Sequence, residues 1–300
     1  MQIRSLLGIF LSLWLALACS SDEQTNVGPD TQQQDDTALP LEAAISIDVP
    51  YGDDPQQKYD LYLPAGRSSS KTKVVVLIHG GGWVSGDKSD MEEFVDLIRA
   101  QLPDYAVVNL NYVLADVTTP AFPNQFLDVK AALEQIKQQA GDLQILPEFA
   151  LIGTSAGAHI SLMMDYVYDN DDLVKMVCSI VGPTDFTDPF YSESPEYQIL
   201  LNALVDESAY AAGTDYAQAT SPVFQVTSNS APTIMFYGNE DPLVPISNGT
   251  NLELALASNS VSHSFTIYEG GHGDDWSQEN YDNLQQQLID YLLEYLPVKP

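Results

Sequence analysis

Six short apolar runs recur along the chain, and most are separated by just enough residues for one helix. They are residues 73–79 (KVVVLIH), 105–111 (YAVVNLN), 148–152 (EFALI), 175–181 (KMVCSIV), 233–237 (TIMFY) and 264–268 (SFTIY). A strand that is apolar without alternation is buried on both faces, which is the habit of parallel sheets covered by helices. The intervening segments fit that role. Met91, Phe94, Val95 and Ile98 share one helical face, and Phe126, Val129, Leu133 and Ile136 share another. Further helices are expected from the turn at Gly153-Thr154-Ser155, over 249–257 and over 281–296. Two earlier segments, 45–49 and 59–63, alternate apolar and polar residues around Gly52-Asp53-Asp54-Pro55 and read as an antiparallel hairpin. The sequence therefore predicts an α/β fold: a mostly parallel central sheet with helices on both faces. Residues 189–227, rich in Tyr, Ala and Pro, break the rhythm and are expected to form a small cap insertion. Ligands of such sheets bind beyond the carboxyl ends of the strands.

The domain is expected to span 41–300. Ahead of it, Arg4 and the apolar stretch 6–18 read as a signal peptide over 1–18, too short to span a bilayer as an ordinary helix. Ala18-Cys19 at its end resembles a bacterial lipobox, which implies lipidation of Cys19, although Ala16 stands where Leu is usual. The alternative is an ordinary signal peptide in which Cys19 is incidental. Residues 19–40 are Gln- and Asp-rich without apolar periodicity and read as a disordered tether. The expected location is thus outside the cytoplasm, anchored by lipid to the cell envelope or surface, or else soluble in the periplasm or medium. The remaining cysteine, Cys178, lies in an apolar run and is expected in the core. A formal net charge of −31, from 42 acidic against 11 basic residues, argues against nucleic-acid partners, which need basic residues facing phosphates. Any membrane contact is expected through the lipid alone.

Gly153-Thr154-Ser155-Ala156-Gly157 sits between a strand and a helix. A turn that tight needs small neighbours on both sides of the serine and lifts its hydroxyl over the sheet edge, where a nucleophile is useful. His79-Gly80-Gly81-Gly82-Trp83 follows another buried strand. Its backbone N–H groups at Gly81 and Gly82, with that of Ala156, are candidates for an oxyanion hole. Of the four histidines, His79 belongs to the glycine loop and His159 lies one turn into the serine's helix. His263 precedes a strand, at the wrong end of the sheet. His272, after a strand and Gly270-Gly271, is the candidate base. Asp241, after the strand TIMFY, is the candidate acid, with Asp185 the runner-up and Glu240 adjacent. The order Ser155, Asp241, His272 fits a Ser-His-Asp triad on this architecture. Asp274 and Asp275 are expected to form a solvated rim. Trp83 and Asp185 are candidate substrate contacts.

In order, HGGGW, GDK, GTSAG, GPTDF, ATSPVF, GNEDPLVP and EGGHG resemble the bacterial esterase/lipase branch of the α/β hydrolases that includes feruloyl and acetyl-xylan esterase-like proteins. KYDLYLP resembles that branch's opening strand. The resemblance implies the α/β-hydrolase fold, no metal and no cofactor. It also implies a serine carboxylesterase acting on short-chain acyl, acetyl or hydroxycinnamoyl esters of small molecules or oligosaccharides. Thr154 and Tyr237 depart from residues usual in related branches, which bears on the substrate and not on the chemistry. Two alternatives stay open: an aryl formamide or short peptide amide hydrolase on the same fold, and a non-catalytic binding lipoprotein on a hydrolase scaffold.

Overall fold

The computed structural model describes residues 41–298. The expected signal peptide, tether and lipidated Cys19 lie outside the described residues. Strands β1 (Ala44–Pro50), β2 (Lys58–Leu63), β3 (Val74–Ile78), β4 (Ala106–Asn111), β5 (Phe149–Thr154), β6 (Val174–Ile180), β7 (Thr233–Gly238) and β8 (His263–Tyr268) form one sheet in the order β1-β2-β4-β3-β5-β6-β7-β8. β1 and β2 make the expected antiparallel hairpin, and β2 joins β4 antiparallel. Every other pairing is parallel.

The helices are α1 (Glu92–Gln101), α2 (Asn124–Gln138), α3 (Ala140–Leu143), α4 (Ala156–Met163), α5 (Pro189–Ser192), α6 (Pro195–Leu204), α7 (Tyr216–Ala219), α8 (Ile246–Ser258) and α9 (Gln278–Tyr295). Successive strand residues face opposite sides, so β3 feeds two cores. Val75 and Leu77 pack with Val95 and Ile98 of α1 and with Leu284 and Leu288 of α9. Val74, Val76 and Ile78 pack with Phe126 and Val129 of α2, Ile160 of α4 and Leu252 of α8. All five β3 residues are fully buried, which is why the run carries no polar residue. Each such side chain contributes about 1.5–3 kcal/mol over its exposed state. Cys178 is buried in the same way.

α8 begins three residues before the apolar pattern implies. Its first turn carries Asn248, a polar residue turned inward to accept the Thr184 and Asp185 N–H groups at 2.7 and 2.9 Å. Apolar periodicity does not register such a residue. The segment 189–227 folds into α5, α6 and α7 over the carboxyl end of the sheet. It is stitched down by Phe122, whose N–H donates to Leu204 O at 2.8 Å and whose carbonyl accepts from Asp206 at 2.7 Å.

Candidate active site

Ser155 follows β5, Asp241 follows β7, His272 follows β8 and the glycine loop follows β3. All four therefore meet at the carboxyl end of the parallel strands. His272 Nδ1 lies 2.6 Å from Asp241 Oδ2, and His272 Nε2 lies 2.9 Å from Ser155 Oγ. A carboxylate only accepts, so Nδ1 carries the proton and Nε2 accepts from the serine hydroxyl. The other oxygen of Asp241 accepts the Leu243 and Val244 N–H groups at 2.8 and 3.0 Å. The carboxylate has no exposed surface, while the imidazole keeps 20%. An imidazole so placed can take a proton from the hydroxyl while the carboxylate holds its orientation.

The glycines make the convergence possible. A Cβ on Gly153 would lie 2.3 Å from the backbone of Gly157. One on Gly238 would lie 2.0 Å from the Gly271 carbonyl, so the loops bearing Asp241 and His272 touch only because Gly238 has none. Ser155 itself sits at φ 51°, ψ −116°, a region that non-glycine residues occupy only when the surroundings hold them there. Strain of this kind costs on the order of 1–3 kcal/mol. In this conformation the hydroxyl lies within hydrogen-bond reach of His272 Nε2.

Gly81 and Gly82 adopt φ of 108° and 59°. Among the described residues, the N–H groups of Gly81, Gly82 and Ala156 have no hydrogen-bond acceptor. His79 orders this loop: its Nδ1 lies 2.7 Å from Gly80 O, and its ring stacks on Tyr112 at 4.4 Å. Burial lowers its pKa. His159 is wholly buried, and His263 stands at the opposite end of the sheet, paired with Thr233.

Beside Ser155 opens a cavity of about 390 Å³. Its walls include Gly82, Trp83, Phe186 and Val244 from the body, and Tyr191, Tyr197, Leu201 and Leu204 from the cap. Its only titratable groups are His272 and the two tyrosine hydroxyls. Trp83 is one of the residues that line it. Asp185 is not: its oxygens accept from Thr187 Oγ1 at 2.6 Å and Asn251 Nδ2 at 2.9 Å, bracing the loop after β6. A carboxylate just after a strand satisfies the sequence criterion for a site residue whether it faces the cavity or its own loop. Asp275, in contrast, does more than line a rim. Its Oδ1 accepts the Gly271 N–H at 2.7 Å and shapes the turn that presents His272. Its four-residue spacing from Gly271 is the only sequence hint. Among the described residues no three His, Cys, Asp or Glu side chains are grouped to hold a metal.

The strand order, the strained serine turn and the Ser-Asp-His order along the chain define an α/β hydrolase. Residues 59–256 match the BD-FAE family model, and the chain belongs to the BD-FAE family. Esterase LipC of Mycobacterium tuberculosis is 24% identical over 244 residues, 76% of this chain and 59% of that protein. Isoprenylcysteine alpha-carbonyl methylesterase ICME of Arabidopsis thaliana is 24% identical over 266 residues, 81% of this chain and 60% of that protein. The chain thus spans about three-fifths of the length of these curated relatives. Among solved structures, a thermophilic esterase from Thermogutta terrifontis superposes with a TM-score of 0.69 at 18% identity, covering 86% of this chain and 94% of that one. At that identity the likeness speaks to the fold.

Proposed function

We propose that the protein is a serine carboxylesterase, and the observation that carries the reading is the unbroken hydrogen-bonded line from Ser155 through His272 to Asp241. His272 takes the Ser155 proton as Oγ attacks the ester carbonyl. The developing oxyanion is received by the N–H groups of Gly81, Gly82 and Ala156, which have no other acceptor among the described residues. His272 then protonates the departing alcohol, and water, activated by the same imidazole, releases the acyl group. Asp241 holds the imidazole and offsets its charge. The family and the names of the relatives agree with ester hydrolysis. The apolar cavity suits an uncharged acyl or aryl group: acetyl, short acyl or hydroxycinnamoyl.

The test is a panel of p-nitrophenyl esters, methyl ferulate, acetylated xylan and aryl formamide with the wild type and Ser155→Ala. Wild-type turnover of esters, with a loss of about 10⁶ in kcat for the variant, is expected. Turnover confined to the formamide makes the protein an amidase, and none at all makes it a binding protein.

We also propose export and lipid anchoring, on the strength of the apolar stretch 6–18 closed by Ala18-Cys19. In a bacterium with the lipoprotein pathway, the wild type should partition with membranes and Cys19→Ser should not. A wholly soluble wild type with an unmodified Cys19 overturns this.

A further inference from the structure

The His159 side chain bonds no triad side chain and does not line the cavity, yet its ring bridges three parts of the site. It lies one turn beyond Ser155 on α4. Trp83 Nε1 lies 3.2 Å from its Nδ1, and the carbonyl of Thr220 lies 2.7 Å from its Nε2. An indole only donates and a carbonyl only accepts, so the partners fix the tautomer: Nδ1 accepts and Nε2–H donates. The rings of Phe122, Phe186 and Phe126 surround it, with centroids at 5.1, 5.2 and 5.4 Å. The Thr220 carbonyl would favour a charged imidazole, but burial among these rings outweighs it and lowers the pKa to about 4. It is a neutral two-ended clamp.

What the clamp grips matters. Trp83 adjoins Gly82, whose N–H is a candidate oxyanion donor. Trp83 itself lies at φ 67°, a conformation that a bulky residue keeps only under outside restraint. Its carbonyl accepts from Ala115 N–H and Gln125 Nε2, each at 2.8 Å, and its indole is held by His159. At the other end, Thr220 ends α7, whose Ala217 lines the cavity. The next residue, Ser221, accepts from Phe186 N–H at 2.7 Å, and Phe186 also lines the cavity.

We infer that His159 is a positioning residue that locks the Trp83 end of the oxyanion loop to the nucleophile's helix through Nδ1, and the cap's α7 to the same helix through Nε2. The loop's N–H groups and the cap wall are thereby referred to one rigid element, the one that starts at Ser155. The inference rests on the esterase reading above. Rate is sensitive to this because a displacement of about 1 Å in a reacting constellation can cost roughly 10² in turnover.

Two conservative variants separate the two bonds. His159→Asn keeps an acceptor near the Nδ1 position and loses the donor to Thr220. His159→Gln keeps a donor near the Nε2 position and loses the acceptor for Trp83. Rates are measured on p-nitrophenyl acetate per active site, counted with a phosphonate titrant. We expect His159→Gln to lower kcat by roughly tenfold or more with KM nearly unchanged. His159→Asn should keep most of kcat on acetate and raise KM for butyrate and methyl ferulate, whose acyl groups press on the cap. Trp83→Phe removes the indole donor and should lose kcat as His159→Gln does, with the double variant adding nothing further. Trp83→Phe alone serves if His159→Gln folds poorly. A wild-type kcat per titrated site in His159→Gln and Trp83→Phe, whatever their melting temperatures, overturns the inference. Equal kcat losses in the Asn and Gln variants overturn the assignment of the Trp83 bond. An inactive wild type instead removes the esterase reading on which the inference rests.

Discussion

Gly157 packs directly on the carbonyl of Ile78: a Cβ on the glycine would lie 2.1 Å from that oxygen and 2.4 Å from the carbonyl oxygen of His79. The last residue of β3 and the first turn of α4 are therefore in backbone contact, which sets the glycine loop beside Ser155. Neither carbonyl can move without shifting the strand that carries the loop. Gly157→Ala should cost about 1–3 kcal/mol as overpacking and lower the melting temperature by several degrees. It should also cut kcat/KM by roughly 10² as the loop is pushed away. Gly141→Ala is the control, because a Cβ there meets nothing within 4 Å. Equal behaviour of the two variants would show that the contact does not set the loop.

The acid is assigned by what each carboxylate faces. Asp241 bonds His272 and Asp185 bonds Thr187 and Asn251. Asp241→Asn, which spoils the tautomer of His272, should lower kcat by about 10⁴. Asp185→Asn should leave kcat within a few-fold of wild type and show its effect in thermal unfolding. The reverse pattern would move the acid to Asp185.

Much of this was legible because the informative residues are few in kind. Runs such as KVVVLI are apolar on both faces only when a sheet is covered on both sides, so the α/β architecture could be read directly. Ser155, Asp241 and His272 each follow a predicted strand, and elimination among four histidines left one at the right end of the sheet. What stayed hidden depends on where side chains turn. Asp185 and Asp275 both sit in loops near the site, and sequence position alone ranks the first higher. The structure turns Asp185 onto its own loop and Asp275 onto Gly271. The double role of His159 was equally unreadable, because its partners Trp83 and Thr220 lie 76 and 61 residues away in sequence.

Two buried groups give the fold opposing responses to pH. Burial raises the Asp165 carboxyl from its ordinary 3.8 to about 8, while its Oδ2 accepts the Ala231 N–H at 2.9 Å. The folded state then holds a proton that the unfolded chain has lost, so this contribution is complete below pH 3.8 and is lost as pH rises through 8. His159, lowered from 6.5 to about 4, has the opposite sign: its contribution is complete above pH 6.5 and is lost as pH falls towards 4. Between pH 6.5 and 8 only the Asp165 slope remains, at most about 1.4 kcal/mol per pH unit. Asp165→Asn stays neutral and keeps an oxygen for Ala231. It should melt higher than wild type at pH 8, by a margin that shrinks as pH falls to 5. Melting curves of the two proteins that run parallel from pH 5 to pH 8 would reject Asp165 as the source.

The cavity argues for short or aromatic acyl groups. Its volume, about 390 Å³, is at the small end of ligand pockets, which run from about 300 to 1,000 Å³. Trp83, Phe186, Tyr191 and Tyr197 supply flat apolar walls, and Leu201 and Leu204 of α6 complete the cap side. Tyr191 is fixed by its hydroxyl to the Leu243 carbonyl at 3.2 Å, and Leu204 is pinned by Phe122, so these walls are not free to swing aside independently. Each methylene that enters adds about 0.8 kcal/mol while space lasts. Beyond that, an acyl chain has either to displace packed side chains or to leave apolar surface in water. For p-nitrophenyl acetate, butyrate, octanoate, decanoate and laurate, kcat/KM should therefore rise from acetate, peak at butyrate or octanoate, and fall for the two longest. Methyl ferulate should be accepted, its ring lying against the aromatic walls. Leu201→Trp, which fills the cap side, should move the optimum to acetate and leave the acetate rate within a few-fold of wild type. A maximum on decanoate or laurate would show that the chain runs out past the cap, and lipase would then be the better description of the activity.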